Sequence, residues 1–297
     1  MKSATSLHTR SYFASPPTFI VGCGRSGTTI FGTALSKHSK ITYLNERRDL
    51  WFSAYPEADI WTNQAANRKG RMVLTSSDEQ AEKSHRLRKV FFLETVKLQR
   101  PVLIEKLPIN NFRLGLIQAI FPDARFIHIY RNGLEVARSI AQLSEKGQWF
   151  GSNRYKWDQL VQLALRKEET AALPGICANY YDQGLLEWRL STEAAVDSLR
   201  GLPDSRYLEI SYADFVNNPL TVITAVLLFL GLKIQPAVAK FVTDTVKRKT
   251  NALDGNSLSW NEKAIGGKLL NLSLEDGNGV ELTRRDKERS RFLRYSL

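Results

Sequence analysis

Five short runs of apolar and β-branched residues recur along the first 212 residues, and patterns typical of helices separate them. The runs are TFIVG (18–22), ITYL (41–44), PVLIEKL (101–107), RFIHIY (125–130) and RYLEISY (206–212). Near-continuous hydrophobicity is typical of strands that are covered on both faces, as in a parallel sheet. Neighbouring parallel strands require crossover connections, which are usually helical. The sequence therefore predicts an α/β fold with a doubly wound, mainly parallel sheet flanked by helices.

The intervening segments carry helix signals. They are TTIFGTALSKH (28–38), SSDEQAEKSHRLRKVFFLETVKL (76–98), NNFRLGLIQAIF (110–121) and NGLEVARSIAQLSE (132–145). The last two begin at an asparagine, a residue suited to helix capping. The longest apolar run, VITAVLLFLGL (222–232), is shorter than the roughly 20 residues of a membrane-spanning helix and predicts a buried helix. No transmembrane segment is predicted.

Composition and charge limit the classes of binding partner and the cellular compartment that the sequence predicts. The net charge of +12 favours anionic partners, but no aromatic RNA-binding motif, zinc finger or heptad-linked basic region is present, so no nucleic-acid partner is predicted. Two cysteines, Cys23 and Cys177, cannot form a disulfide framework, which favours a reducing, cytoplasmic location. The four histidines lack metal-ligand spacing. We predict no metal site and a structural role for His128, which lies inside a strand-like run.

The segment VGCGRSGTT (21–29) follows the first predicted strand and opens the first predicted helix. It fits a phosphate-binding loop at Gly22, Gly27 and Thr29, but Thr28 replaces the lysine that would reach the terminal phosphates. Backbone N–H groups and the helix N-terminus form an oxyanion site in such a loop, and Arg25 carries the positive charge here. A sulfuryl group carries less negative charge than a phosphoryl group, so its transfer does not require magnesium. The loop therefore suits a sulfated nucleotide better than ATP.

A second motif lies in YRNGLEVARS (130–139). Arg131 ends the fourth predicted strand, and Ser139 lies two helical turns into the next helix. In an open parallel sheet the carboxyl ends of the strands line the ligand crevice. The two side chains can therefore converge on a second phosphate, which predicts a nucleotide with both 5′ and 3′ groups. A P-loop kinase and a catalytically inactive nucleotide-binding protein stay as alternatives.

Together, GCGRSGTT, YRNGLEVARS and EISYADFVNNP resemble the motifs of sulfotransferases that use 3′-phosphoadenosine 5′-phosphosulfate (PAPS). The resemblance covers residues 18–232 and is strongest to the branch of bacterial, tyrosylprotein and glycosaminoglycan sulfotransferases. It implies a P-loop-type fold, PAPS as co-substrate, the desulfated nucleotide PAP as product, and no metal. It also implies that these residues bind the nucleotide: Gly24, Arg25, Ser26, Gly27, Thr28, Thr29, Arg131, Ser139 and Tyr212.

The resemblance further implies three catalytic residues. YLNERRDLW (43–51) follows the second predicted strand, where related enzymes keep a glutamate with an arginine two residues later; Glu46 and Arg48 match. Lys106, at the end of the third strand, would stabilise charge on the departing phosphate. Glu105 is a rival base, but alternation along a strand directs residues 105 and 106 to opposite faces. We therefore expect Glu46 to be the base and Lys106 its partner.

The remaining segments carry weaker signals. We expect residues 1–17 to be a flexible tail and 18–297 a single domain, with 145–204 forming a helical, aromatic-rich insertion on the acceptor side and an irregular segment at the C-terminus. The aromatic residues of the insertion fit either an acceptor site or a core. The basic end (284–297) is typical of a solvated helix face, with peripheral membrane or acceptor contact as the alternative. The predicted reaction is sulfuryl transfer to a hydroxyl of a small-molecule, carbohydrate, lipid or peptide acceptor.

Overall fold

Five parallel strands form one sheet in the computed structural model, which describes residues 12–150, 153–246 and 258–275. The strand order is β2-β3-β1-β4-β5, and every neighbouring pair is parallel. The strands are β1 (Thr18–Val21), β2 (Ile41–Asn45), β3 (Val102–Lys106), β4 (Arg125–Tyr130) and β5 (Tyr207–Ser211). Each matches one predicted apolar run to within one residue at either end. The prediction of a parallel sheet is confirmed.

Helices connect the strands and extend beyond the last of them. Those in the described residues are α1 (Thr28–Ser36), α2 (Arg48–Ala54), α3 (Ala81–Leu98), α4 (Leu114–Ile120), α5 (Gly133–Ser144), α6 (Tyr155–Ala164), α7 (Glu168–Ala171), α8 (Leu173–Ile176), α9 (Tyr180–Leu199), α10 (Tyr212–Asn217), α11 (Pro219–Phe229), α12 (Pro236–Thr245) and α13 (Trp260–Glu275). Short 3-10 helices span Pro56–Ala58, Ser76–Asp78 and Pro108–Phe112. α13 is interrupted at Gly267, whose backbone angles are not helical.

Alternate residues of each strand enter two separate cores, one on each face of the sheet. Phe19 and Val21 pack into a core built with α3, α4, α5 and α9. Ile20, between them, packs into a second core with α1, α11 and α12. This period of two follows from the pleat of a strand. Because both faces are covered, the strands read as continuous apolar runs, and the predicted doubly wound α/β fold is confirmed.

Asparagine capping is confirmed for one of the two predicted helices. The Asn132 side chain accepts from the backbone N–H groups of Leu134 and Glu135 at the start of α5. At the other helix the prediction is wrong, because α4 begins only at Leu114. Asn110 and Asn111 lie in the preceding 3-10 helix and are buried. Their amides bind tertiary partners instead.

The N-terminal segment differs from its prediction where the structure describes it. Residues 12–17 of the predicted flexible tail are packed: Phe13 is buried between Phe92 and Phe121, and the Tyr12 hydroxyl lies 3.0 Å from Nδ1 of His85. Residues 1–11 and the basic end (284–297) lie outside the described residues. Among the described helices, none is long and apolar enough to cross a membrane.

The segment 145–204 is mainly helical, as predicted from its pattern, and comprises α6 to α9 with their connections. α9 packs along α5. Several aromatic side chains of the segment, including Phe150, Trp157 and Trp188, are buried in the core on the α5 side of the sheet. Burial of these rings favours the core interpretation over a stacking surface.

Candidate functional site

The predicted functional residues lie at the carboxyl ends of all five strands. Gly22 follows β1, Glu46 follows β2, Lys106 ends β3, Arg131 follows β4 and Tyr212 follows β5. Because the strands are parallel, their carboxyl ends share one edge of the sheet. Strands β2 and β3 lie on one side of β1, and strands β4 and β5 lie on the other. Ligands bind at such a switch point in folds of this type. The topology therefore brings together residues that are far apart in the sequence.

The loop between β1 and α1 has a backbone suited to anions. Gly27 caps α1 with a φ of 89°, and Arg25 also has a positive φ of 75°. A Cβ added at Gly27 would overlap the ring of Tyr212, so this position needs glycine for both space and conformation. The hydroxyl of Ser26 is buried and has no hydrogen-bond partner among the described residues. A buried hydroxyl without a partner, in a loop at the start of a helix, marks a place for a ligand oxygen.

A cavity of about 650 Å³ opens beside this loop. Its lining contains seven of the nine predicted nucleotide-binding residues, namely Arg25, Gly27, Thr28, Thr29, Arg131, Ser139 and Tyr212. Gly24 and Ser26 belong to the loop but not to the lining. Of the described residues, three arginines and one carboxylate, Glu135, line the cavity, so its electrostatic character favours an anion.

Arg131 connects the two predicted phosphate motifs. Its Nη1 donates to the Arg25 carbonyl at 3.1 Å, and its guanidinium lies 4.4 Å from the centre of the Tyr212 ring. Its Nε donates to Glu135 at 2.6 Å. Arg25 in turn donates from Nε to the Ser139 hydroxyl at 2.9 Å. The Arg25 side chain therefore reaches the second motif, whereas the sequence associated it with the 5′ group alone.

Sequence reasoning missed three cavity residues on α5: Glu135, Arg138 and Gln142. They fall four, seven and eleven positions after Arg131, which is the spacing of one helical face. This signal was available once Ser139 had been placed on the helix that follows Arg131. Arg138 is exposed, and its charge helps to lower the pKa of Glu262. It supplies a third cation to the cavity.

Glu46 and Lys106 form an ion pair next to the loop. Lys106 Nζ lies 2.7 Å from Glu46 Oε1 and 2.9 Å from the hydroxyl of Thr29, so it spans the base of α1 and the end of β2. The Lys106 side chain is fully buried, while that of Glu46 is 33% exposed. Arg48 Nη2 binds the second carboxylate oxygen of Glu46 at 2.9 Å and stacks on Trp61. Arg48 thus contacts Glu46 rather than the cavity.

These contacts set the charge states of the pair. Burial alone would raise the pKa of Glu46, but the hydrogen bond and charge of Lys106, together with Arg48, outweigh it and hold that pKa below its usual value. Burial lowers the pKa of Lys106, and Glu46 partly opposes this shift. At neutral pH the geometry supports a carboxylate and an ammonium group in direct contact.

Glu105 lies on the opposite side of β3 from Lys106. It is fully buried and accepts hydrogen bonds from Nε1 of Trp51 at 3.1 Å and Nδ2 of Asn110 at 3.0 Å. Burial, opposed by these two hydrogen bonds, raises the pKa of Glu105 to about 7. Its carboxylate is occupied by two core partners and points away from the Glu46–Lys106 pair, which favours Glu46 over Glu105 as the base.

The loop also has contacts that the sequence did not reveal. The backbone N–H of Gly22 donates to Oδ1 of Asn111 at 2.8 Å, and Nδ2 of Asn111 donates to the Ser191 hydroxyl at 2.7 Å. Asn111 thus fixes the start of the loop.

His128, predicted to be structural, is buried and lies 3.2 Å from Glu209. Within the described ranges, no three His, Cys, Asp or Glu side chains are grouped to hold a metal ion.

The fold and the site define a doubly wound α/β protein with a glycine-containing strand-to-helix loop and an arginine-lined cavity at the carboxyl edge of its sheet. The chain belongs to the sulfotransferase family, whose model matches residues 16–236.

The chain is also similar to individual proteins. An uncharacterized protein of Aquifex aeolicus (strain VF5) is 30% identical over 135 residues, which cover 45% of this chain and 18% of that protein. The sulfotransferase domain from the curacin biosynthetic pathway is similar in structure, with a TM-score of 0.50 and 15% identity, over 96% of this chain and 99% of that chain. The sulfotransferase STF9 from Mycobacterium avium has a TM-score of 0.51 and 14% identity, over 90% of this chain and 78% of that chain. At these identities the structures support the fold alone.

Proposed function

We propose that this protein transfers a sulfuryl group from PAPS to a hydroxyl of an acceptor, with Glu46 as general base. The observation that carries the proposal is that the lysine-free loop and the Arg131–Ser139 motif meet in one basic cavity next to the Glu46–Lys106 pair. A nucleotide with a 5′-phosphosulfate and a 3′-phosphate has anionic groups at two separated points. The loop and the Arg131–Ser139 motif would supply cations and hydrogen-bond donors for both groups.

The residues of the site fit such a donor. The loop N–H groups and the Ser26 hydroxyl, which has no partner among the described residues, would donate hydrogen bonds to the phosphosulfate, as oxyanions bind at helix N-termini. Arg131 and Ser139 would hold the 3′-phosphate, with Arg138 as a further cation. Tyr212 packs against Gly27 and Arg131, so it supports both ends of the donor site.

The chemistry then needs a base and a stabilised leaving group. The acceptor oxygen forms a bond to sulfur while the bond from sulfur to the bridging phosphate oxygen breaks. Glu46 takes the hydroxyl proton, and the Lys106 ammonium stabilises the charge that develops on the departing phosphate. Lys106 Nζ lies between Glu46 and Thr29, the second residue of α1. This position supports a role for Lys106 next to both the base and the donor. Arg48 holds the Glu46 carboxylate in place and acts as a positioning residue.

The donor assignment is tested by retention on immobilised 3′,5′-adenosine diphosphate. We expect binding, elution by PAPS, and no change when EDTA is added. Arg131→Ala should cost roughly 1.5–3 kcal/mol, about ten- to a hundredfold in affinity, because it removes a charge-assisted phosphate contact. Ser139→Ala should cost less, since its hydroxyl is a neutral donor.

The matched control is a nucleotide without the 3′-phosphate, for which neither variant should change affinity much. A strong preference for ATP, or loss of binding in EDTA, would favour a kinase instead. An acceptor screen with radiolabelled PAPS across sugars, phenols, lipids and peptides then measures turnover; its complete absence favours an inactive nucleotide-binding protein. A cytoplasmic location is part of the proposal and is supported by the two free cysteines.

A further inference from the structure

Trp149, in the segment between α5 and α6, lies directly against the anion-binding loop. A Cβ added at Gly24 would overlap Cη2 of the Trp149 indole and lie 2.8 Å from its Cζ2. Gly24 does not have a positive φ, in contrast to Gly22 and Gly27. Glycine is therefore required at position 24 for space rather than for backbone conformation, and the neighbour that takes the space is Trp149.

The indole is held on its edge and on one face. Its Nε1 donates to Glu187 Oε2 at 2.7 Å, and Lys156 Nζ lies 4.0 Å from the ring centre. Lys156 also binds Glu187 Oε1 at 2.6 Å, and the two side chains are only 10% and 5% exposed. A buried ion pair of this kind is weak evidence for stability, but removing one partner is costly. The pair therefore fixes the orientation of Trp149.

The same helix reaches the loop at a second point. Ser191 lies four residues after Glu187, on the same face of α9, and binds Asn111, which accepts from the N–H of Gly22. α9 thus supports Gly22 through a hydrogen-bonded relay and Gly24 through the indole. Between them, Cys23 is buried next to Glu187 and Ser191. Three consecutive loop residues are therefore positioned from the 145–204 segment and its contacts.

We propose that Trp149, oriented by the buried Lys156–Glu187 pair, is a positioning residue that sets the geometry of the phosphosulfate-binding loop. The inference rests on the proposed function, because it takes residues 22–29 as the site of the 5′ group. It assigns the 145–204 segment a role in donor binding, where the sequence suggested the acceptor side alone. Fixed N–H groups bind an oxyanion well because no reorganisation is needed when the ligand arrives.

The test is a double-mutant cycle with Gly24→Ala and Trp149→Phe, read with two nucleotides. Gly24→Ala should lower the affinity for 3′,5′-adenosine diphosphate by about tenfold or more. The reason is that a displacement on the order of 1 Å in a preorganised site can cost up to ~10²-fold. Adenosine 3′-monophosphate, which lacks the 5′ group, should keep its affinity to within about twofold. Trp149→Phe removes the far end of the indole and should restore most of the loss in the Gly24→Ala background. Alone, it should cause a smaller loss with the same selectivity.

Gly175→Ala and Trp260→Phe are matched controls, because a Cβ at Gly175 meets nothing within 4 Å and Trp260 is exposed. Neither control should change the affinity for either nucleotide. Trp260→Phe should also fail to restore the affinity that Gly24→Ala loses. Equal losses for both nucleotides, or no restoration by Trp149→Phe, would overturn the proposal. If Gly24→Ala does not fold, selective loss in Trp149→Phe alone decides it. If the wild type binds neither nucleotide, the proposed function is refuted instead. In that case the melting temperatures of the wild type, the two single variants and the double variant show whether the loop and the indole are coupled.

Discussion

Glu46, the proposed base, is partly exposed and lies between two cations that keep it ionised and fix its orientation. Lys106 and Arg48 each bind one of its oxygens, and the residue holds a positive φ of 51° directly after β2. A non-glycine residue in this region is uncommon and is often held there by its surroundings at a functional site. The backbone N–H of Glu46 donates to the Lys106 carbonyl at 2.8 Å, which fixes the turn. Backbone and side chain are thus both set by Lys106.

At this scale we predict the effect of Glu46→Gln. Turnover should fall by about 10² to 10⁴, the usual contribution of a positioned base, because the amide cannot take the hydroxyl proton. Affinity for 3′,5′-adenosine diphosphate should stay near wild type, and the loss should shrink for acceptors with a more acidic hydroxyl. Glu94→Gln, which removes a carboxylate paired with Arg47 instead, is the matched control and should leave turnover unchanged. Retained activity in Glu46→Gln together with lost activity in Glu105→Gln would assign the base to Glu105.

Helix α5 carries much of the cavity on one face. Arg131 precedes it, and Glu135, Arg138, Ser139 and Gln142 follow at helical spacing. The opposite face, with Val136 and Ile140, is buried in the core. An element with a buried side and a ligand side positions its polar residues more rigidly than a loop could, provided that its first turn is well formed.

At this scale we predict that Asn132→Ala lowers stability by about 1 kcal/mol, because two N–H groups at the start of α5 lose their acceptor. The measurement is urea denaturation. Asn132→Asp keeps an acceptor oxygen and is the control; it should be close to wild type. Affinity for 3′,5′-adenosine diphosphate should fall less than in Arg131→Ala. A larger loss of affinity than of stability would show that Asn132 contacts the nucleotide directly.

At the scale of the whole molecule, the core on the α5 side of the sheet contains buried charge away from the cavity. Glu105 and Arg113 are both fully buried, and each influences the other electrostatically. Burial lowers the pKa of Arg113 to about 9. Arg113 donates to the carbonyls of Ala58, Arg71 and Met72, so it ties the loop after α2 to the core. Such groups make stability depend on pH.

The expected pH dependence has a definite sign. Glu105 has a folded-state pKa of about 7, above its ordinary value of 4.5, so the stability it contributes is complete at low pH and is lost as pH rises through 7. Urea denaturation between pH 5 and 8 should show the wild type losing up to a few kcal/mol relative to Glu105→Gln over this range. Glu82→Gln, at an exposed site, should follow the wild type. A constant difference between wild type and Glu105→Gln would mean that Lys106 and Arg113 keep Glu105 ionised throughout.

Local patterns in the sequence determined much of this protein. Apolar runs located all five strands, because a strand covered on both faces must be apolar along its length. The glycine loop and the spacing of Arg131 and Ser139 identified residues that share one cavity, since both patterns lie within single strand-to-helix units. Such features depend on neighbours in the chain, so the sequence carries them directly.

Only the tertiary structure decided which distant side chains hold the site in place. Asn111, which follows the predicted helix cap Asn110, binds Gly22, 89 residues away. Arg25 reaches Ser139, 114 residues away. Trp149 packs on Gly24 because α9 brings Glu187 within reach of its indole nitrogen. A buried amide or indole pairs with whatever partner the packing supplies, because leaving it unpaired is costly, and the chain alone does not say which partner that is.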